Sequence, residues 1–463
     1  MSIDFRKGIR TACIWMLALS GTALLCATSA NANEADDLDA LRNELNELRD
    51  DYEARISNLE QRLAVAEQNA RQANTAVAQL GTAPAPAAPA SRADATGNSA
   101  FNPAIGVIFQ GQAWNYGNDP EDYAVQGFPF GGEAGPAGEG LSLGETEINI
   151  SGNVDDKFTA WLTVPVVIED GESGIEIEEA WLETLSLPGG LSARFGRFFS
   201  GIGYLNDRHA HSWDFVDQPL PYQAFLGDQY LDDGVQLRWI APTNQFLEFG
   251  AEILRGGRYP AAGAGSSGVG ARSVFVNTGG DVGTDHSWLA GLSYLDAESI
   301  DRPSGDEDDP FLFTGDSSTT IAQFVWKWAP QGNWRQRNFV FQSEYLWRNE
   351  DGAYTLPGIG MLRYDIDQRG WYAQAVYQPF PQWRFGGRFD TLSMDDPGIG
   401  FAGTGLALPD DDPKRLSFMV DWSNSEFSRL RLQYTRDQAG ASDDNQFGLQ
   451  YTMSIGAHGA HSF

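Results

Sequence analysis

The residues from Phe427 to Asp437, FSRLRLQYTRD, show the pattern on which the interpretation of the whole chain rests. Apolar and polar side chains alternate along them: Leu430, Leu432 and Tyr434 against Arg429, Arg431, Gln433 and Thr435. A period of two residues predicts a β-strand whose two faces meet different surroundings. In a soluble sandwich the polar face meets bulk water, whereas in an outer-membrane barrel the apolar face meets lipid and the polar face lines a wet lumen. The rest of the chain decides between these two folds.

Residues 1–32 have the features of a secretory signal. Basic residues precede an apolar run at 14–27, and the small-x-small sequence Ala30-Asn31-Ala32 follows it. Both cysteines, Cys13 and Cys26, lie in this segment, so a mature chain has no thiol for a disulfide, for catalysis or for a zinc site. Lipidation at Cys26 is the alternative to cleavage after residue 32.

The chain is strongly acidic, with a formal net charge of −32 at pH 7. This charge argues against a nucleic-acid partner, because a phosphate backbone requires clustered cations. After the signal there is no apolar run long enough for a membrane-spanning helix, which needs about 18 residues or more. A mean hydropathy of −0.34 is compatible with membrane strands, since alternation hides their apolar face in the average.

Residues 33–80 are predicted to form a periplasmic coiled coil. Apolar residues recur every three or four positions from Leu38 to Leu80, with one stutter at Leu48-Tyr52-Ile56. Such a seam is buried only against another helix; a single solvated helix is the alternative, because the second half of the seam is mostly alanine. Residues 81–100 are rich in Ala and Pro and predict a linker, which leaves 101–463 as the barrel domain.

Short turns and long acidic loops alternate after residue 100, as in a transmembrane barrel with short periplasmic turns and long outer loops. The predicted long loops are 115–140, 201–230, 256–270, 297–317, 349–360 and 394–412. This spacing predicts an all-β barrel of about sixteen antiparallel strands, with fourteen and eighteen left open because Ala271–Asn277 is a weak strand. A barrel of about this size leaves an aqueous channel.

Aromatic side chains stand beside the predicted turns, as expected where strands leave the membrane. They are Trp239, Trp328, Trp334, Trp347, Trp371, Trp383 and Trp422. Phe463 ends the printed sequence after a strand of alternating apolar residues, a pattern similar to the signal that the barrel-assembly machinery recognises. The predicted surroundings are therefore outer-membrane lipid and lipopolysaccharide.

If the apolar parity faces lipid, the other parity places charged side chains in the lumen. The predicted lumen residues are Arg238, Arg348, Arg384, Arg388 and Arg431, together with Glu145, Glu147, Glu176 and Glu178 on early strands. Opposite charges on opposite walls would set a field that orients and filters charged solutes. For each residue taken singly, a solvated strand face is the alternative.

The loop at 200–230 differs from the other loops because it is rich in aromatic residues and charges of both signs. His209 and His211, with Asp214 and Asp217, are the residue types of a zinc or copper site, which makes the two histidines candidate metal ligands. A hydrolase triad from Ser212 and its neighbours is disfavoured, because side chains so close in sequence rarely reach the required geometry. We predict no catalytic residue, no cofactor and no enzymatic activity.

The layout of signal, coiled coil, Ala/Pro linker and large barrel resembles trimeric porins with a periplasmic coiled-coil extension, the DcaP-like group. At the level of strands the chain also resembles the phosphate-selective porin O and P superfamily. Phrases in the barrel are similar to proteins labelled zinc-regulated, TonB-dependent receptor-like: GRFF at 196–199, WDFVD at 213–217, DDGVQL at 232–237 and SEFSR at 425–429. The resemblance implies a homotrimer. It also implies that the loop at 200–230, counted as the third outer loop, narrows the channel through Arg208, His209, His211, Asp214 and Asp217.

These features together predict a Gram-negative outer-membrane porin for passive diffusion of small hydrophilic solutes. Acidic outer loops predict a modest preference for cations. Two alternatives stay open. One is a receptor-like protein that takes up zinc or a metal chelate at the third loop, and the other is a structural barrel that anchors a periplasmic stalk.

Overall fold

The computed structural model describes residues 103–169, 172–262, 268–306 and 308–456. The predicted signal, coiled coil and linker, and Phe463, lie outside these ranges. Within them, one sheet contains 18 strand segments. The segments are β1 (Ala104–Asn115), β2 (Gly140–Leu143), β3 (Thr146–Asn153), β4 (Phe158–Glu169), β5 (Glu172–Ile175), β6 (Glu179–Thr184), β7 (Leu191–Phe199), β8 (Leu231–Ile240), β9 (Phe246–Leu254), β10 (Ala271–Val282), β11 (His286–Ser304), β12 (Phe311–Trp328), β13 (Asn338–Leu356), β14 (Gly360–Phe380), β15 (Trp383–Met394), β16 (Lys414–Ser425), β17 (Ser428–Asp437) and β18 (Asp444–Gly456).

The sheet closes on itself as an antiparallel barrel. The first segment pairs with the last, from Gly106 opposite Gly456 to Asn115 opposite Phe447. β2 and β3 both pair with β1, and β5 and β6 both pair with β4, so each of these couples is one interrupted strand. The barrel therefore has 16 strands, which confirms the predicted number.

The two faces of the barrel are inverted relative to a soluble protein. In β17, Leu430 and Leu432 point outward with 36% and 55% of their surface exposed, whereas Arg431 and Gln433 are fully buried. The other strands repeat this arrangement, with large apolar side chains on the outer surface and Gln, Ser, Thr, Arg and Glu on the inner one. Apolar residues on the outside are stable only against a non-aqueous medium or another apolar surface.

Four strands are much longer than a bilayer requires. β11 to β14 contain 19, 18, 19 and 21 residues, whereas a tilted strand crosses the hydrocarbon in about 9–11. The predicted long loops at 297–317 and 349–360 are therefore wrong, because most of their residues are paired in extensions of these strands. Beyond the lipid both faces of a strand can be polar, so its composition resembles that of a loop. The weak strand Ala271–Asn277 lies in β10 and is paired on both sides.

Apolar packing lies inside the barrel rather than between sheets. The helix Leu220–Leu226, in the loop between β7 and β8, is buried along its whole length. It packs with Phe128 from the loop between β1 and β2, and with inner wall residues such as Leu346 and Tyr372. A second cluster joins Phe313, Tyr354, Leu356, Tyr364, Ile366, Phe401 and Leu406.

Single 3-10 turns occur at Pro120–Asp122, Pro188–Gly190, Ala210–Ser212, Pro330–Gly332 and Ile399–Phe401. Among the described residues, no helix is long and apolar enough to cross a membrane.

Candidate functional site

The loop at 200–230 enters the barrel and docks on the wall formed by β15, β16 and β17. Asp217 accepts hydrogen bonds from Arg388 Nη2 and Arg415 Nη1, both at 3.0 Å, and from Gln433 Nε2 at 2.7 Å. Asp214 pairs with Arg384 on the same wall. Burial alone would raise the pKa of Asp217, but the two guanidinium groups lower it below its ordinary value. The loop thus adds two carboxylates to a wall on which each of these arginines also has a carboxylate of its own strand or a neighbouring strand.

The middle of the loop docks on β13 and β14. Tyr222 donates its hydroxyl to Glu344 at 3.0 Å, and the backbone N–H of Tyr204 donates to the same carboxylate at 2.7 Å. Arg348 donates to the carbonyl of Ala224 at 3.0 Å. Gly227 ends the helix with φ 66°, a left-handed conformation that glycine adopts without strain. These contacts hold the helix against the wall.

The segment around His209 and His211 reaches the wall formed by β3 and β6, where three glutamates contact the two rings. His209 Nδ1 lies 3.3 Å from Glu147 Oε2 and 3.3 Å from Glu178 Oε2, and its Nε2 lies 3.1 Å from Glu179 Oε2. His211 Nδ1 contacts the other oxygen of Glu147, and the two rings stack with centroids 5.6 Å apart. Burial alone would lower the pKa of His209, but its hydrogen bonds to the carboxylates raise it well above its ordinary value.

Two adjoining cavities remain between the loop and the wall that includes β1 and β2. Their volumes are ≈ 190 and ≈ 260 Å³, and both are lined by Gln112, Gly144, Glu145, Trp213 and Asp228. Carboxylates outnumber guanidinium groups around them: Glu133, Glu145, Glu176, Glu178, Asp217, Asp228 and Asp437 against Arg258 and Arg415. Open space in this part of the barrel therefore has an acidic lining.

The predicted lumen residues divide into two groups in the structure. Glu145, Glu176 and Glu178 line the cavities, and Glu147 lies fully buried behind them. The five predicted arginines line neither cavity and pair with acidic or amide side chains instead: Arg238 with Glu248, Arg348 with Gln368, Arg384 with Asp214, Arg388 with Asp217 and Arg431 with Asp421. The loop occupies the space across which an arginine–glutamate field was predicted.

The predicted loop residues also separate. The two histidines face glutamates, while Asp214 and Asp217 face arginines of β15 and β16, so the predicted grouping of these histidines with these aspartates in one metal site is wrong. The reason is that the side chains before and after Trp213 turn to different strands. Arg208 lies beside Tyr204, with its guanidinium carbon 4.6 Å from the ring centroid.

Sequence reasoning missed Glu179, Asp228 and Arg415. Strict alternation would send Glu178 and Glu179 to opposite faces, but the interruption between β5 and β6 lets both reach His209. Arg415 alternates with Leu416 and the same parity argument finds it. Asp228 has no local signal, because its place depends on the path of the loop.

Comparisons with known proteins give one relative in sequence and several in fold. No family model matches the chain. An uncharacterised protein of Aquifex aeolicus (strain VF5) is 31% identical over 342 residues, which cover 70% of each chain. The outer membrane channel DcaP of Acinetobacter baumannii is 13% identical, with a TM-score of 0.50 over 76% of this chain and 97% of that one. An anion-selective porin from Comamonas acidovorans is 9% identical, with a TM-score of 0.47 over 76% and 99%. The similarity to DcaP is one of fold: both chains form a porin-like closed barrel.

Proposed function

This chain belongs to the family of the Aquifex aeolicus protein, and we propose that it is an outer-membrane channel for passive diffusion of small hydrophilic solutes, with a preference for cations. The observation that carries this function is the acidic lining of the two cavities beside an inward-folded loop. The apolar outer face supports a location in outer-membrane lipid, next to lipopolysaccharide.

Further parts of the proposal rest on sequence patterns. They are export by residues 1–32, insertion by the barrel-assembly machinery through Phe463, and a homotrimer with a coiled-coil stalk at 33–80 and a linker at 81–100. In the trimer, the loop at 200–230 narrows each channel.

The cation preference follows from the position of the charges rather than from the net charge alone. Charges beside a narrow path between low-dielectric walls act on a passing ion more strongly than charges in open water. The docking arginines are already paired with Asp214, Asp217 and Asp421, whereas acidic side chains outnumber basic ones around the two cavities. A cation therefore meets more charge of the opposite sign than an anion does.

Planar bilayer recordings test this function. In asymmetric KCl we expect the sign of the reversal potential to show that K⁺ passes more readily than Cl⁻. In the variant E145Q/E178Q the reversal potential should move towards zero. The matched control is D351N/D365N, which removes two exposed carboxylates from outer strand ends that line neither cavity. Anion preference in the wild-type protein would refute the proposal, and a folded protein without conductance would favour the structural barrel.

Asp228 gives the selectivity a specific pH dependence. Burial raises the pKa of Asp228 to about 7, with Asp217 and Glu133 adding to the rise and Arg415 and Arg388 opposing it. Below this pH the group is neutral and above it the group is negative. The ratio of cation to anion permeability is therefore expected to increase from about pH 6 to about pH 8. The variant D228N should flatten this increase. The backbone at residue 228 has φ 82°, a conformation that Asn tolerates, so the substitution should not disturb the loop. An unchanged pH profile in D228N would contradict the assignment.

A further inference from the structure

The negative and positive charges do not balance in one buried cluster of side chains. Its members are Glu145, Glu147, Glu178, Glu179, His209 and His211. When all four carboxyl groups are ionised, they leave a negative excess even if both rings carry two protons. Within the described ranges, the ion pairs of these carboxylates are made to His209 and His211. Buried charges require a compensating charge close by. A positive charge beyond these six side chains would balance the ionised cluster.

The geometry of His209 shows where that charge would lie. A second proton on Nδ1 would let the ring donate to Glu147 or Glu178. When Nε2–H alone carries a proton and donates to Glu179, the Nδ1 lone pair faces these two carboxylates, and a cation bound between them takes the place of that proton. A carboxylate that holds the far nitrogen of a histidine is the usual second partner of a metal-binding imidazole.

The distances match those of atoms that share a metal ion. Two ligands about 2.1 Å from one ion, at tetrahedral to octahedral angles, lie about 3.0–3.4 Å apart. His209 Nδ1 lies 3.3 Å from an oxygen of Glu147 and from one of Glu178. One ligand atom each from Glu145, Glu147, Glu178 and His209 lie within 4.8 Å of one another.

Glu147 is the most deeply buried carboxylate of the cluster. Its side chain is fully buried, and among the described residues its ion-pair contacts are to the ring nitrogens of His209 and His211. Desolvating a carboxylate is costly unless protons on those rings or a bound cation replace the lost water. Glu145 and Glu178 line the cavity of ≈ 260 Å³, which gives an ion a route to this buried group.

We propose that Glu145, Glu147, Glu178 and His209 bind a divalent transition-metal ion, with Glu179 as the positioning residue for His209. One imidazole nitrogen with several carboxylate oxygens suits Zn²⁺ or Mn²⁺ better than Ca²⁺ or Mg²⁺, which take oxygen ligands. The bound ion links the loop at 200–230 to the wall formed by β3 and β6. Binding at this site does not depend on whether the barrel conducts.

The test uses full-length folded protein in detergent, freed of metal with EDTA, and titrated with ZnCl₂ and MnCl₂ by calorimetry, with the bound ion counted by elemental analysis. We expect one ion per chain, loss of binding in H209A and in E147Q, and about 10- to 100-fold weaker binding in E179Q. H286A is the matched control, because His286 stacks on Trp326 on another strand and should bind like wild type.

Zinc or manganese binding that is absent, or equal in wild type and H209A, would overturn the site. It would show instead that protons on the imidazoles are the compensating charge. Should E147Q fail to fold, H209A and E179Q still decide the question. Ion selectivity measured in EDTA-treated protein tests the channel separately, so failure of one proposal is distinguishable from failure of the other.

Discussion

Replacing Glu350 with Ala is expected to lower the free energy of unfolding by about 3–5 kcal/mol, the usual loss when one partner of a buried ion pair is removed. Glu350 Oε1 lies 2.6 Å from Arg302 Nη2, and both side chains are fully buried. Arg348, also buried, lies 3.8 Å from the same oxygen. The variant E350A thus leaves two guanidinium groups inside the barrel without their carboxylate.

The neighbouring residue supplies the control for E350A. Asp351 points outward and pairs with Arg363, and more than half of each side chain is exposed. Because an exposed pair contributes about 0–1 kcal/mol, D351A should unfold close to the wild-type temperature. Thermal unfolding in detergent, followed by tryptophan fluorescence, compares the two variants. Equal shifts in D351A and E350A would show that the buried pair adds no stability of its own.

Replacing Asp217 with Ala is expected to weaken docking of the 200–230 loop by about 3 kcal/mol, at the lower end of the range for a broken buried pair. Arg388 and Arg415 lose their contacts at 3.0 Å. Each keeps a second partner, because Arg388 lies 3.4 Å from Asp390 and Arg415 lies 2.9 Å from Asp437. A loop that leaves this wall opens the lumen, so D217A should have a higher and noisier single-channel conductance.

D207A is the matched control for D217A, since it makes the same change in the same loop. Asp207 has 39% of its side chain exposed and lies 3.6 Å from Arg208, so its removal should leave conductance near the wild-type value. An unchanged conductance in D217A, or an equal increase in D207A, would contradict the role of Asp217 in docking. Both variants are compared at one pH and salt concentration, because screening alters exposed charges.

The inward loop places the positive and negative side chains inside the barrel in different surroundings. Arginines of the late strands are used to hold the loop, and the glutamates on the other side are left beside open space. A barrel with the same wall but a shorter loop would present both signs of charge to the lumen. The proposed cation preference therefore depends on where the loop docks as much as on which residues the strands contain.

The closed sheet and its inverted faces follow from local pattern alone. Alternation such as that of Phe427–Asp437 sets which side chains share a face, because successive side chains of a strand point in opposite directions. Repetition of this pattern between turns led to the predicted number of strands. Prediction failed at the outer ends of β11 to β14, since strands beyond the lipid lose the apolar residues that mark them.

Which side chains meet inside the barrel was decided only by the tertiary structure. His209 faces Glu147, and Asp217 faces Arg388 and Arg415, because the loop reaches strands that are far apart in sequence. Such contacts depend on strand register, on barrel diameter and on the reach of the loop. These are properties of the closed ring, and no short stretch of residues encodes them.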